Sequence, residues 1–172
     1  MKTKRKNMKK KNFTRKDYNS KDGMLTRVWG PSLWHVLHTI SFNYPVEPTY
    51  KDKVNYRKFI FQMKYILPCG KCRDNFKNNL KQLPLKMSNM ENRETFSKYV
   101  YELHEVINKM LNKKSNLTYF DVRDRYENFR ARCKMQKQKS EIGCVKPLRG
   151  EKKKCVLKIV PDDENCESFQ MN

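Results

Sequence analysis

Gly30-Pro31-Ser32-Leu33-Trp34-His35-Val36-Leu37-His38-Thr39-Ile40-Ser41-Phe42-Asn43-Tyr44-Pro45 reads as one helix. Proline suits the first helical turn, where its missing N–H is not needed, so Gly30-Pro31 marks the start. Trp34, Leu37, His38 and Ser41 then share one face at offsets of three, four and seven. Tyr44-Pro45 ends the segment, because a residue before proline is pushed out of the helical region. A helix whose inner face carries tryptophan and histidine among its apolar residues sets a helical reading for the rest of the domain.

Downstream, a second helix opens near Thr49. Its stripe of Tyr56, Phe59, Ile60, Met63 and Leu67 is continuous at helical spacing until Pro68. Cys69 begins a third helix that runs to about Leu80 and turns Cys69, Cys72 and Phe76 inward, and a loop through Pro84 comes after it. Asn92 caps a fourth helix through about Leu111, with Phe96, Tyr99, Val100, Leu103, Ile107 and Met110 on its apolar face. His104 and Asn108, four apart, share one edge of it. A shorter fifth helix, around Tyr119 to Arg132, presents Val122, Tyr126 and Phe129 inward. Neither a hairpin nor a βαβ pattern is evident. The expected fold class is therefore all-α: a four-helix bundle with a short fifth helix packed across it.

A chain of 172 residues holds one domain plus tails. Residues 1–23, with Lys9-Lys10-Lys11 and almost no apolar side chains, read as a disordered basic arm, since nothing there offsets the entropy of ordering. Residues 24–132 form the domain, and residues 133–172 form a polar extension in which Cys133, Cys144, Cys155 and Cys166 recur every eleven residues. Structural zinc takes ligands in closely spaced pairs, and this extension has neither Cys-x-x-Cys nor histidine, so no metal is expected. Its thiols are free, or they form a shuttle that passes electrons to the core.

Lys and Arg total 39 against 18 Asp and Glu, a net charge of +21 divided as +8, +10 and +3 over those three segments. Such a field attracts nucleic acid, acidic proteins and anionic cofactors. No apolar run reaches the length that crosses a bilayer, and the N-terminus lacks the apolar stretch of a secretory signal. The expectation is a soluble protein without a membrane partner, not secreted by the usual route.

Cys69-Gly70-Lys71-Cys72 carries the chemistry. Two cysteines three apart at a helix start can close a small disulfide ring, and the helix N-terminus stabilises a thiolate. Lys71 and Arg73 add positive charge beside them. A dithiol that is oxidised needs an electron acceptor. Trp34, His38, Tyr44, His104, Asn108 and Tyr126 can supply flat, polar-edged walls, while Lys113 and Lys114 can neutralise a pyrophosphate. Those are the requirements of a flavin dinucleotide, although aromatic residues on apolar faces and a lone histidine also read as ordinary core.

The segment from Trp29 to Thr39, closed by Tyr44-Pro45, resembles the opening signature of the Erv/ALR family of FAD-linked sulfhydryl oxidases. Cys69 and Cys72 fall where that family keeps its redox pair. Leu103-His104-Glu105-Val106-Ile107-Asn108-Lys109-Met110-Leu111-Asn112-Lys113 is similar to its His-Asn-x-Val-Asn-x-x-Leu-x-Lys flavin motif, with Glu105 in place of the second residue and Ile107 in place of Val. Tyr119 stands where many cellular members have the first cysteine of a second pair, and compact members from large DNA viruses are similar in lacking that pair.

The resemblance implies an all-α flavin domain over about residues 27–132 with FAD as cofactor. Gly30, Trp34, His38 and Tyr44 would contact the flavin from the first helix, and His104 and Asn108 from the fourth. Lys113 would approach the phosphates, and Tyr126 would replace a tryptophan beside the adenine. It also implies that Cys69 exchanges with substrate dithiols, that Cys72 faces the flavin, and that O2 takes the electrons as H2O2. Thioredoxin-like or other dithiol proteins are the implied substrates, and homodimerisation through the first helices is the implied assembly. The implied location is host cytoplasm or virion for a viral chain, and otherwise the mitochondrial intermembrane space. Two other readings stand beside this one. The first is a basic helical nucleic-acid-binding protein with non-catalytic cysteines, although no helix-turn-helix or zinc finger is evident. The second is a thioredoxin-like exchanger, although its alternation of strands and helices is missing.

Overall fold

The computed structural model describes residues 13–131, and among them every regular element is helical. In chain order these are α1 (Arg15–Tyr18), α2 (Thr26–Phe42), α3 (Tyr50–Ile66), α4 (Gly70–Gln82), a 3-10 turn (Met87–Met90), α5 (Arg93–Met110) and α6 (Tyr119–Glu127). Helices α2 to α5 form the bundle. α2 packs on α5, α3 on α4 and α4 on α5, while the short α6 lies against both α2 and α5.

Helix starts are set directly by side chains that satisfy the first backbone N–H groups. Thr49 and Asp52 make a reciprocal capping box at α3, Asn92 and Thr95 at α5, and Thr118 and Asp121 at α6. The core joins Leu37, Ile60, Met63, Phe76, Leu80, Phe96, Tyr99, Val100 and Leu103, so each bundle helix contributes its apolar face. Two buried tyrosines close the loops onto that core. Tyr44 donates its hydroxyl to the Met90 carbonyl at 2.9 Å, and Tyr99 donates to the Leu83 carbonyl at 3.0 Å.

The structure departs from the sequence-based expectations at several places. α2 begins at Thr26, so Pro31 lies inside it and Gly30-Pro31 is not its start. The extra turn is held by Trp29, which packs against the core and donates its indole N–H to the Met24 carbonyl at 3.0 Å. That anchoring outweighs the one backbone bond that proline removes. At the other end, α6 stops at Glu127 rather than Arg132.

The described part of the basic arm carries one short turn and meets the fold at its C-terminal end. Thr14 and Asp17 cap the single turn α1, and the segment from Lys21 to Met24 lies against the loop before α4. Its cohesion comes from backbone bonds across the fold, which composition does not reveal. The expectations for residues 1–12 and for Cys133, Cys144, Cys155 and Cys166 lie outside the described residues. No helix among the described residues is long and apolar enough to cross a membrane.

Candidate active site

Cys69 is the N-cap of α4, in extended conformation, and its sulfur accepts the Cys72 N–H at 3.2 Å. The two cysteines are joined as a disulfide with Cα atoms 5.1 Å apart. The ring therefore sits on the positive end of α4, where a thiolate is stabilised. Cys69 is only 7% exposed, whereas Cys72 is half-buried and packs against the core, as do Trp29, Leu33 and Trp34 of α2. Lys71 is exposed, and Arg73 donates to the Leu67 carbonyl, which braces the turn that leads into Pro68.

The segment before α2 straps this loop. Met24 N–H donates to the Pro68 carbonyl at 2.7 Å, and Gly70 N–H donates to the Lys21 carbonyl at 2.9 Å. Glycine is required at both crossings. A Cβ on Gly23 would lie 2.1 Å from the Pro68 carbonyl oxygen, and one on Gly70 would lie 2.6 Å from the Lys21 oxygen. Just beyond the strap, the Thr26 hydroxyl lies 3.3 Å from the Cys72 sulfur.

Two turns further along α2 begins an aromatic and imidazole cluster. Trp34 stacks on His104 of α5 with ring centroids 3.9 Å apart and planes 8° from parallel. His38 Nε2 and His104 Nδ1 are 3.0 Å apart, so one donates to the other. Tyr126 of α6 lies 5.2 Å from the His38 ring and stacks on Phe42 at 5.5 Å. Burial lowers both histidines: His38 falls to about 3, with His104 and His35 adding to the shift, and His104 falls to about 4 despite the opposing charge of Glu105. Both imidazoles are therefore neutral at physiological pH.

Beside this cluster, the C-terminal end of α5 and the loop into α6 enclose an open groove of about 840 Å³ lined by Tyr101, Glu105, Lys109, Lys113, Lys114 and Tyr119. Asn108 bonds two of the lining residues: its side-chain amide donates to Glu105 at 3.0 Å, and its backbone carbonyl accepts the Lys113 N–H at 2.8 Å. Glu105, the departure from the flavin motif, is thus the acceptor that orients Asn108.

The structure brings Trp34, His38, His104 and Tyr126 together, sets Lys113 in the groove, and bonds Asn108 to Glu105 and Lys113 of the groove lining. Gly30 lies one turn before Trp34 on the same helix, and packing does not demand a glycine there, since a Cβ would meet only the Thr26 methyl at 3.5 Å. Tyr44 is not brought to the cluster. It is fully buried, with its ring against Tyr56 and Phe96. Sequence reasoning missed Thr26, because nothing in its neighbourhood signals a partner 46 residues away. It also missed the role of Tyr119, whose hydroxyl lies 2.9 Å from Ser97 of α5 and whose ring stacks on Phe42.

These residues fit a flavin dinucleotide. Neutral flat rings suit an isoalloxazine or adenine, and three lysines suit a pyrophosphate. His38 Nδ1 is a buried polar atom with no partner among the described residues, as expected of a group reserved for a ligand.

Comparison with known proteins agrees. Residues 31–132 match the model of the Erv1 / Alr family. A probable FAD-linked sulfhydryl oxidase of Acanthamoeba polyphaga mimivirus is 38% identical over 91 residues, which is 53% of this chain and 63% of that protein. An FAD-linked sulfhydryl oxidase of African swine fever virus is 30% identical over 58% of this chain and 80% of its own length. Among solved structures, the FAD binding domain of Erv1 from Saccharomyces cerevisiae superposes with a TM-score of 0.54 at 26% identity, covering 60% of this chain and 94% of that domain.

Proposed function

The chain belongs to the Erv1/Alr family, and on that premise we propose that it is an FAD-linked sulfhydryl oxidase that forms disulfide bonds in dithiol proteins. One observation carries the reading. Helix α2 holds Thr26 against Cys72 at its start and Trp34 and His38 against His104 eight to twelve residues later, about 12 to 18 Å further along the axis. A single rigid element thus connects a disulfide to a flat, neutral, ligand-ready cluster.

The chemistry on this chain is thiol exchange. A substrate thiolate attacks the Cys69 sulfur; the Cys69–Cys72 bond breaks and its electron pair stays on Cys72 as a thiolate. The second substrate thiol then attacks the mixed disulfide, releasing oxidised substrate and leaving Cys69 reduced. FAD, when bound, would supply the two-electron acceptor between the reduced cysteine pair and O2, with H2O2 as the product. Trp34, His38, His104 and Tyr126 would hold its rings, Asn108 would act beside them through its bond to Glu105, and Lys113 would meet its phosphates. Neutral histidines keep the ring site uncharged, and Tyr44 acts from the core by holding the end of α2 to the 3-10 turn.

Purified protein should show a flavin absorption band and consume O2 on addition of dithiothreitol. Cys72→Ser should keep the band and lose turnover. Protein that stays colourless after refolding with FAD overturns the reading, and a Cys72→Ser enzyme that still oxidises dithiols overturns the assignment of Cys72.

Thioredoxin-like and other dithiol proteins are the proposed substrates. A homodimer is proposed through α2 and α3, where Val28, Val36, Tyr65 and Ile66 are exposed apolar residues, and a sedimentation mass of one chain would exclude it. The viral relatives favour host cytoplasm or virion over the mitochondrial intermembrane space.

A further inference from the structure

We propose that Thr26 is a positioning residue for electron transfer: its hydroxyl holds the Cys72 sulfur and biases the reduced pair toward a thiolate on Cys72. The inference rests on the sulfhydryl oxidase reading and deepens it.

The two sulfurs of the Cys69–Cys72 pair have different donors. Cys69 accepts the Cys72 backbone N–H at 3.2 Å, the contribution of the α4 N-terminus. Left alone, that bond favours the negative charge on Cys69, as helix N-termini do for the first cysteine of such a pair. An oxidase needs the opposite. Once substrate has been released, Cys72 must hold the electron pair that is passed on, and a charge settled on Cys69 favours re-attack on the substrate disulfide. Thr26 counters this bias. A disulfide sulfur carries no hydrogen, so the contact at 3.3 Å is a bond donated by the Thr26 hydroxyl to Cys72. After reduction the same donor meets an anion, and bonds to charged groups are the stronger kind.

The strap fixes this donor in place. Thr26 comes directly after the segment that crosses the redox loop through Met24 N–H to the Pro68 carbonyl and Gly70 N–H to the Lys21 carbonyl. The indole of Trp29 ties the first turn of α2 back to Met24. Donor and sulfur therefore belong to one braced unit, although they are 46 residues apart in sequence. Thr26 is itself exposed, so replacing it does not disturb the core.

The test uses the full chain, reduced, with alkylation by iodoacetamide monitored at the separate peptides carrying Cys69 and Cys72 as pH is varied. Thr26→Val keeps the shape and removes the donor. It should raise the half-point of Cys72 alkylation by about one pH unit and shift the Cys69-to-Cys72 labelling ratio about tenfold toward Cys69. Thr26→Ser restores the donor without the methyl group and should return both to the wild-type values. The proposal is overturned if neither variant moves them, or if both move them equally, since the latter assigns the effect to packing of the methyl group. The alkylation readout does not require bound flavin. Colourless protein would sink the oxidase reading while the Thr26 measurement still gave its answer.

Discussion

Gly23 meets two independent demands for glycine. Its φ of +68° lies in the left-handed region, and a Cβ there would run into the Pro68 carbonyl carbon and oxygen and the Cys69 Cα, all backbone atoms that cannot step aside. Gly23→Ala should therefore release the strap rather than strain it, at a cost of about 1–3 kcal/mol. Amide exchange is the sensitive readout: the Gly70 N–H, which donates to Lys21 in the native protein, should exchange faster, and unchanged protection would show that the strap tolerates a side chain. A second residue-scale prediction concerns the histidine pair. The unfolded chain protonates each imidazole near pH 6.5, whereas the folded chain resists until about 3 at His38 and about 4 at His104. Below pH 6.5 the unfolded state thus binds more protons, and stability falls as pH drops toward those values, by about 2 kcal/mol per histidine at pH 5. Urea denaturation at about pH 7.5 and about pH 5 checks the sign, and His38→Asn should flatten the dependence. Equal stability at the two pH values would mean that the imidazoles are not held neutral.

How much of an element is legible in sequence depends on whether its determinants are local. The starts of α3 and α5 are read correctly at Thr49 and Asn92 because a capping side chain and the amide it serves lie three residues apart. The start of α2 is misread because proline's preference for the first turn is also local, while the indole and core contacts that override it are not. The aromatic cluster is half legible: His104 and Asn108 lie on one helix edge at a spacing of four, but only the tertiary structure sets Trp34 flat on His104 and leaves Tyr44 in the core. The strap is invisible to composition, because the groups that hold it are backbone. Helix α6 shows the same limit. Tyr119 stands where relatives with a second cysteine pair are expected to have a staple, and here a hydroxyl contact to Ser97, together with the Tyr101 hydroxyl donating to the Leu117 carbonyl at 2.8 Å, ties α6 and the loop before it to α5. Ser97 also bonds the Glu94 carbonyl, so Tyr119→Phe does not orphan it. The substitution should cost about 1 kcal/mol in urea denaturation. A loss well above that would show that α6 depends on this bond more than on the packing of Phe42 and Val122.

At the scale of the whole molecule, the net charge of +21 acts through its field rather than through any one ion pair. The redox pair shares this surface: Lys21 and Lys71, both exposed, flank the strap and the start of α4. Ion pairs such as Lys77 with Asp74 and Arg130 with Glu127 join neighbours in sequence and act locally. A dithiol protein of acidic surface is drawn toward such a field, whereas a small neutral dithiol is not. The two should therefore separate under salt. Screening shortens from about 30 Å at 0.01 M to about 8 Å at 0.15 M, so kcat/KM for an acidic protein substrate should fall at least tenfold over that range. For dithiothreitol it should change less than twofold, because a small neutral dithiol carries no net charge for the field to steer. Parallel responses of the two substrates would mean that the excess charge does not steer substrates to the redox pair. A fall for dithiothreitol alone would locate the salt effect in the lysine-lined groove, where Lys109, Lys113 and Lys114 await an anionic cofactor, and it would appear as loss of bound flavin in the same samples.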